Sequence, residues 1–274
     1  MKTLNLLLLM ALSLLNVMPC PAQANDPAQL VVHYASRFKF RQENPKLYED
    51  EQVLEIGAHH SAFYGLWNTR REAIKDSITS RGGSYGEIMQ ALGKAGYPLS
   101  KQSYAVYKNY PQKGKLTYTD KVFKNFLYTE SMERPIWDIL PGDTLIHDYP
   151  CQKAQTSFRG RTWIVWFTPS IPASEGPWKL HGLPGLILKA QDCTGDFSFY
   201  CIRIQKGTTT KVKTPKGKFI HCTPEKLAYM HTLCAKNPET YLQNFGISPM
   251  ASQGPDGKPI VYQEQHPVLL EILP

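Results

Sequence analysis

The sequence predicts an α+β fold that is mainly antiparallel, a curved sheet or open half-barrel with helices packed against it. Three observations carry that expectation. From Ser103 to Ile204 short strand-length runs succeed one another with turn residues between them and no helical crossovers, which is the spacing of antiparallel pairing and not of βαβ units. Helical periodicity is confined to about 68–96 and about 223–246. No internal repeat or low-complexity block divides the chain, so residues 25–274 are expected to form a single domain.

In chain order, Leu30 to Phe40 alternates apolar and polar residues as a half-buried strand does, and Gln52–Ile56 and Ser61–Trp67 read as the next two strands. Arg70–Thr79 and Glu87–Lys94 carry helical spacing and form an insertion broken by the loop around Arg81–Ser84, with Gly96 as its stop. Strands are then expected at Ser103–Lys108, Lys115–Tyr118, Val122–Thr129, Thr144–His147, Lys153–Phe158 and Thr162–Phe167. The last of these, Thr-Trp-Ile-Val-Trp-Phe, is apolar on both faces and so is expected to be covered on both. Leu186–Asp192 and Phe197–Ile204 form a hairpin about Thr194–Gly195. Thr223-Pro224-Glu225 supplies a cap, a first-turn proline and an early acidic residue for a helix towards Cys234. A short helix follows from Pro238 to Asn244, then a turn-rich stretch Met250–Pro259 and an extended apolar tail Val261–Leu273.

The first 24 residues have the order of a secretory signal: a basic start at Lys2, an apolar run Leu4–Val17, and Ala22-Gln23-Ala24 as the cleavage site. That run is shorter than the roughly 20 apolar residues of a transmembrane helix, and none elsewhere is longer. Cys20 also raises an acylated lipoprotein, but Pro19 stands where a small residue is needed, which favours cleavage near Ala24. The expectation is therefore a periplasmic or secreted protein. Among its 31 basic residues only Lys2 leaves with the leader, so the excess over 23 acidic residues stays positive. Much of it lies in Lys206, Lys211, Lys213, Lys216 and Lys218, a solvated loop pattern without interleaved aromatics, which argues against nucleic acid as a partner.

Five cysteines remain after cleavage, and no C-x-x-C pair occurs, which removes zinc-ribbon and dithiol redox readings. The Thr194–Gly195 turn sets Cys193 opposite Asp196 and Cys201 opposite Leu188. A second hairpin about Lys211–Val212 would set Cys201 opposite Cys222, which is the disulfide this geometry proposes.

Catalytic patterns are few. Gly82-Gly83-Ser84-Tyr85-Gly86 matches the G-x-S-x-G nucleophile elbow, but a polar helical tail precedes it where a buried strand is required. Cys151 follows His147 by four residues with Pro150 between them, so a thiol and its base would meet only across a tight turn. The histidines are dispersed, and His59 and His60 would point to opposite sides of a strand, so no metal or other cofactor is implied.

The stretch Gly176–Leu188, Gly-Pro-Trp-Lys-Leu-His-Gly-Leu-Pro-Gly-Leu-Ile-Leu, feeds a core strand through constrained bends, Pro184-Gly185 being the pair that a type II turn wants. It reads either as a rigid corner or as an exposed lip on which Trp178, Leu183 and Pro184 touch a ligand or partner. This stretch, with Cys151-Gln152-Lys153-Ala154, Phe158-Arg159-Gly160-Arg161, Trp166-Phe167-Thr168 and Ile171-Pro172, resembles the GLPGLI family of exported proteins from Bacteroidetes-type bacteria. Ile56-Gly57 with Ser61, Phe63 and Tyr64, and Tyr128 with Glu130 before Pro135-Ile136-Trp137, are similar to its upstream markers. The resemblance covers about Leu54 to Ile204; the helical insertion and the C-terminal segment depart from it. It implies an exported protein without an established reaction and transfers no catalytic residue.

By analogy of architecture, the expected sheet resembles the half-barrels of periplasmic lipoprotein carriers. The leading expectation is non-catalytic binding of a lipid or other apolar ligand, or of an outer-membrane protein partner, with Trp178, Leu183, Pro184 and Trp166 as contacts. The alternative is a hydrolase or thiol enzyme using Ser84 or Cys151.

Overall fold

The computed structural model describes residues 26–207, 210–247 and 265–273. The expected signal segment, Cys20 and the Met250–Pro259 stretch lie outside the described residues. The strands are β1 (Leu30–Arg41), β2 (Asn44–Ile56), β3 (Ser61–Gly65), β4 (Ala105–Lys108), β5 (Lys115–Val122), β6 (Lys124–Ser131), β7 (Asp138–Ile146), β8 (Tyr149–Phe158), β9 (Arg161–Thr168), β10 (Leu186–Asp192), β11 (Phe197–Lys206) and β12 (Ile220–His221). The helices are α1 (Leu66–Ser80), α2 (Tyr85–Ala95), α3 (Pro224–Lys236) and α4 (Pro238–Gln243). All twelve strands lie in one sheet ordered β12-β6-β5-β4-β3-β2-β1-β11-β10-β9-β8-β7. Every pairing is antiparallel except that of β12 with β6. The protein is thus α+β with an open, curved, mainly antiparallel sheet, and no helix among the described residues is long and apolar enough to cross a membrane.

Three strands start earlier than the apolar pattern predicts, β8 among them at Tyr149 and not at Lys153. β2 begins at Asn44 and not at Gln52, because its first half is one arm of a ribbon with β1, paired from Arg41 and Asn44 onward and exposed on both faces. Such a segment has no buried side to impose alternation. β7 begins at Asp138 for the same reason: it is the edge strand and is exposed along nearly all its length. In the other direction, β3 ends at Gly65, and Trp67 belongs to α1. The β10–β11 register, Lys189 opposite Tyr200, is the one that a Thr194–Gly195 turn implies.

The order of strands corrects the disulfide expectation. Chain-distant β1, not a strand near residue 222, occupies the free side of β11, and Ile220–His221 is carried away to the far edge beside β6. Cys201 and Cys222 are both free thiols, as are Cys151, Cys193 and Cys234.

The main core lies on the inner face of the sheet and includes Val32, Tyr34, Leu54, Phe63, Trp163, Val165 and Phe199. A smaller cluster on the outer face gathers Val31, Val53, Ala62 and Tyr64 under Leu66 of α1 and Val212. The inner face is not left open. Residues 169–185, between β9 and β10, fold across it and place Trp178, Leu180 and Leu183 in the core. Trp178 packs on Trp163 at 5.5 Å and on Phe158 at 6.0 Å between ring centres. Polar groups from widely separated strands pin this plug. Lys108 donates to the carbonyls of Gly176 and Leu180 at 2.9 and 3.1 Å, Trp137 Nε1 donates to the carbonyl of His181, and Arg134 donates to that of Gly182. A loop can be buried in this way only because its backbone groups find such partners.

Candidate functional site

Beyond the plug, part of the inner face is covered by α3 and by residues 265–273. An apolar cleft of about 150 Å³ remains between them and the sheet. The local sequence explains why α3 lies there. Thr223 caps the helix by accepting from Lys226 N, Pro224 opens it, and Leu227 and Met230 turn one buried stripe inward. His231 sits on the same side and its Nε2 is 2.8 Å from Asp120 Oδ2 on β5. The sheet side is a tyrosine stack. Tyr104 and Tyr118 lie 5.7 Å apart and 8° from parallel, and Tyr118 and Tyr128 lie 5.1 Å apart and 12° from parallel. Tyr118 and Tyr128 are cross-strand partners, which explains their spacing. Phe38, Phe197 and Leu227 complete the walls.

One end of the cleft is charged. Lys179, from the plug, has a side chain only 1% exposed and reaches Glu130 and Glu271, each at 2.7 Å, and the Tyr128 hydroxyl at 3.0 Å. Arg159, at the β8–β9 turn, contacts Glu271 at 2.9 Å and Glu130 at 3.3 Å. Burial, helped by the Glu271 and Glu130 carboxylates, holds the Tyr128 phenol far above its usual range, so it stays protonated. Burial would also raise Asp120, but the charge and hydrogen bond of His231, together with hydrogen bonds from Ser103 Oγ and Lys121 N, more than offset it and leave the carboxyl below its ordinary value. The C-terminal segment is fixed by backbone contacts: Val268 N donates to the carbonyl of Phe40, Ile272 N to that of Arg159, and the Arg161 guanidinium to that of Leu269. The arrangement is an aromatic pocket with cations and a phenol at one end, which suits binding. Ser103 Oγ also donates to Asp120 Oδ1 at 2.6 Å, so that carboxylate is engaged by both Ser103 and His231.

The ligand-contact and nucleophile candidates named from the sequence do not converge here, whereas Tyr128, Glu130, Arg159 and Lys179 from the family-like motifs do. Trp178 and Leu183 are core residues, 0% and 3% exposed, so the exposed-lip reading of both is corrected to a buried plug. Pro184 is exposed. Trp166 is half-buried on the outer face, with the Lys189 ammonium 4.3 Å and that of Lys153 5.8 Å from its ring centre. Its strand is therefore covered on one face and not on both. Ser84 is the cap of α2, its Oγ accepting from Glu87 N in a capping box, which accounts for the motif without an elbow. Cys151 is buried and its thiol is pushed up by burial, while His147 points instead to the carbonyl of Cys201 at 2.7 Å. The cleft itself went unseen in the sequence, apart from its helix. Tyr118 reads as an ordinary strand aromatic, Tyr128 and Glu130 stand among the family-like markers without an assigned role, and the strongest chemical signal is Lys179, a charge between Trp178 and Leu180 in an otherwise apolar stretch.

Two solved structures have a loosely similar course of chain. "Structure of PNGF-II in P21 space group" aligns at 13% identity and a TM-score of 0.48 over 73% of this chain and 32% of that one. "Structure of PNGF-II in C2 space group" aligns at 13% identity and 0.45 over 74% and 32%. The chain thus spans about a third of the length of those structures. No curated protein matches. Residues 152–189, from β8 to the start of β10 and including the plug, match the family model described as "Protein of unknown function (Porph_ging)".

Proposed function

We propose that the protein is a non-catalytic binding protein of the bacterial envelope that holds an apolar ligand in the aromatic cleft under α3 and the C-terminal segment. The observation that carries this reading is the division of the inner face. The plug fills most of it with the chain's own side chains, and the space left over is lined by Phe38, Phe197, Leu227 and the tyrosine stack. A dry cavity of about 150 Å³ takes up a molecule the size of benzene, so a longer ligand needs α3 or the tail to shift. The leader-like N-terminus and the GLPGLI resemblance, which the matched segment overlaps, support export to the envelope.

Titration with 1-N-phenylnaphthylamine and with dodecanol tests this reading. Saturable uptake by the wild-type protein is expected, and its loss in Ala228→Trp, which fills the cleft from the helix side. Absence of saturable uptake, or uptake unchanged in Ala228→Trp, overturns it.

A further inference from the structure

The charged end of the cleft is built around a carboxylate that the chain itself supplies. Glu271 Oε2 accepts from Lys179 at 2.7 Å and from the Tyr128 hydroxyl at 3.3 Å, while Oε1 accepts from Arg159 at 2.9 Å. Two cations and a phenol thus converge on one carboxylate. The preceding residue, Leu270, lines the cleft and joins the core. Together Leu270 and Glu271 present an apolar body and an anionic head.

The charges at this end require that anion. Lys179 and Arg159 bring two positive charges, and Glu130, at 2.7 and 3.3 Å from them, brings one negative. Glu133 touches Arg159 at 3.2 Å, but its side chain is 63% exposed and screened by water. With Glu271 withdrawn, a lysine at 1% exposure would lose one of its two carboxylates and the inner site would be left with an excess cation. Glu271 belongs to neither helix nor sheet: residues 268–273 lie outside the named strands and run past the β8–β9 turn, packed so closely that a Cβ on Gly160 would lie 2.6 Å from Ile272 Cβ.

We propose that Leu270–Glu271 is a built-in occupant of an amphiphile site, and that the ligand of the cleft is a carboxylate with an apolar chain, which takes over the three donors as the C-terminal segment leaves. The inference rests on the cleft reading above and adds the class of ligand and its competition with the tail.

The test compares dodecanoate with dodecanol by calorimetric titration of the full mature chain. Dodecanoate is expected to bind Glu271→Ala about tenfold or more tighter than wild type, since an internal competitor has been removed. Dodecanol is expected to change by less than about threefold. Lys179→Met is expected to abolish the preference for dodecanoate. Glu271→Gln, which keeps the side-chain shape, and Arg159→Gln, at a less buried cation, repeat both arms if either first variant lacks a cooperative thermal transition. Equal gains for dodecanol and dodecanoate, or no gain for dodecanoate, overturn the anion assignment and leave the cleft reading standing. Failure of both ligands to bind any variant overturns both.

Discussion

The ammonium of Lys108 and the carboxylate of Glu175 meet at 2.6 Å, with the lysine side chain wholly withdrawn from solvent. The same ammonium donates to the carbonyls of Gly176 and Leu180. One side chain from β4 therefore holds both arms of the plug, through one ion pair and two hydrogen bonds.

Lys108→Met should consequently be far more damaging than its similar volume suggests. It leaves a largely buried carboxylate without its counter-ion and two carbonyls without their donor, a loss of about 3–5 kcal/mol. Urea denaturation measures it, and adding Glu175→Gln should recover part of the loss because the stranded charge is then gone. A loss below about 1 kcal/mol would show that the plug is held elsewhere.

The pairing of His231 with Asp120 should make the docking of α3 depend on pH. Burial alone would lower the His231 pKa, but the Asp120 carboxylate outweighs it and leaves the imidazole raised. A raised histidine contributes stability that is complete below its unfolded value, about 6.5, and lost as pH rises through the folded one. Asp120 is lowered, so its contribution is present above about 3.9 and lost as pH falls through its folded value. The pair is thus worth most between about pH 4 and 6.5. His33, His60 and His181 are all held low, chiefly by burial, and act in the opposite sense. The quantity to measure is therefore the stability difference between wild type and His231→Gln, which should shrink as pH rises from 6.5 towards 9. A difference that is flat over this range would mean that the histidine is not charged in the folded protein.

Thiol reactivity separates the binding reading from the enzymatic one. Burial pushes Cys151 up and Cys201 up to about 12, and it raises Cys222 and Cys234 as well. Cys193 is exposed in the β10–β11 turn. At pH 8 a thiol titrating near 12 is on the order of 0.01% thiolate. Iodoacetamide should therefore label Cys193 first, and Cys193→Ser should lose the fast phase. Preferential labelling of Cys151, or of Ser84 by a fluorophosphonate, would restore the enzyme reading.

What could be read from the sequence followed from local rules. The Thr194–Gly195 turn, the Thr223 cap and the broken helical insertion are decided within a few residues, and each is found where local chemistry puts it. The insertion of β1 between β2 and β11 is decided by contacts more than 150 residues apart, and so the proposed Cys201–Cys222 partnership failed. The plug failed for a related reason. Gly and Pro signal a bend but not its depth, and whether Trp178 faces water depends on Trp163 and Phe158 from two other strands. The cleft was illegible because Asp120, Lys179, His231 and Glu271 acquire their meaning only when β5, the plug, α3 and the tail are brought together.

Gly185 provides the last test, and its reason for being glycine differs from the one that the Pro184-Gly185 pair suggests. A type II turn would need a positive φ at this position, but the positive φ values in the plug belong to Gly182, at 98°, and to Trp178, at 52°. What Gly185 meets is backbone. A Cβ there would overlap the Thr168 carbonyl oxygen and lie 2.6 Å from its carbon, where no flexible side chain can yield. Gly185→Ala must therefore push apart the start of β10 and the end of β9, which pair through Leu186 and Thr168. The expected loss is about 1–3 kcal/mol, the range for overpacking a tight interior. Gly195→Ala is the control. That residue has a φ of 73° with open space around it, so it suffers the left-handed backbone cost alone, about 1 kcal/mol. Urea denaturation of the two variants should show the larger loss at Gly185, together with weaker hydrogen-exchange protection of the Leu186 amide. Equal losses, with the Leu186 amide still protected by its bond to the Ile171 carbonyl just beyond β9, would mean that the contact with Thr168 relaxes and that the glycine is not required by close approach.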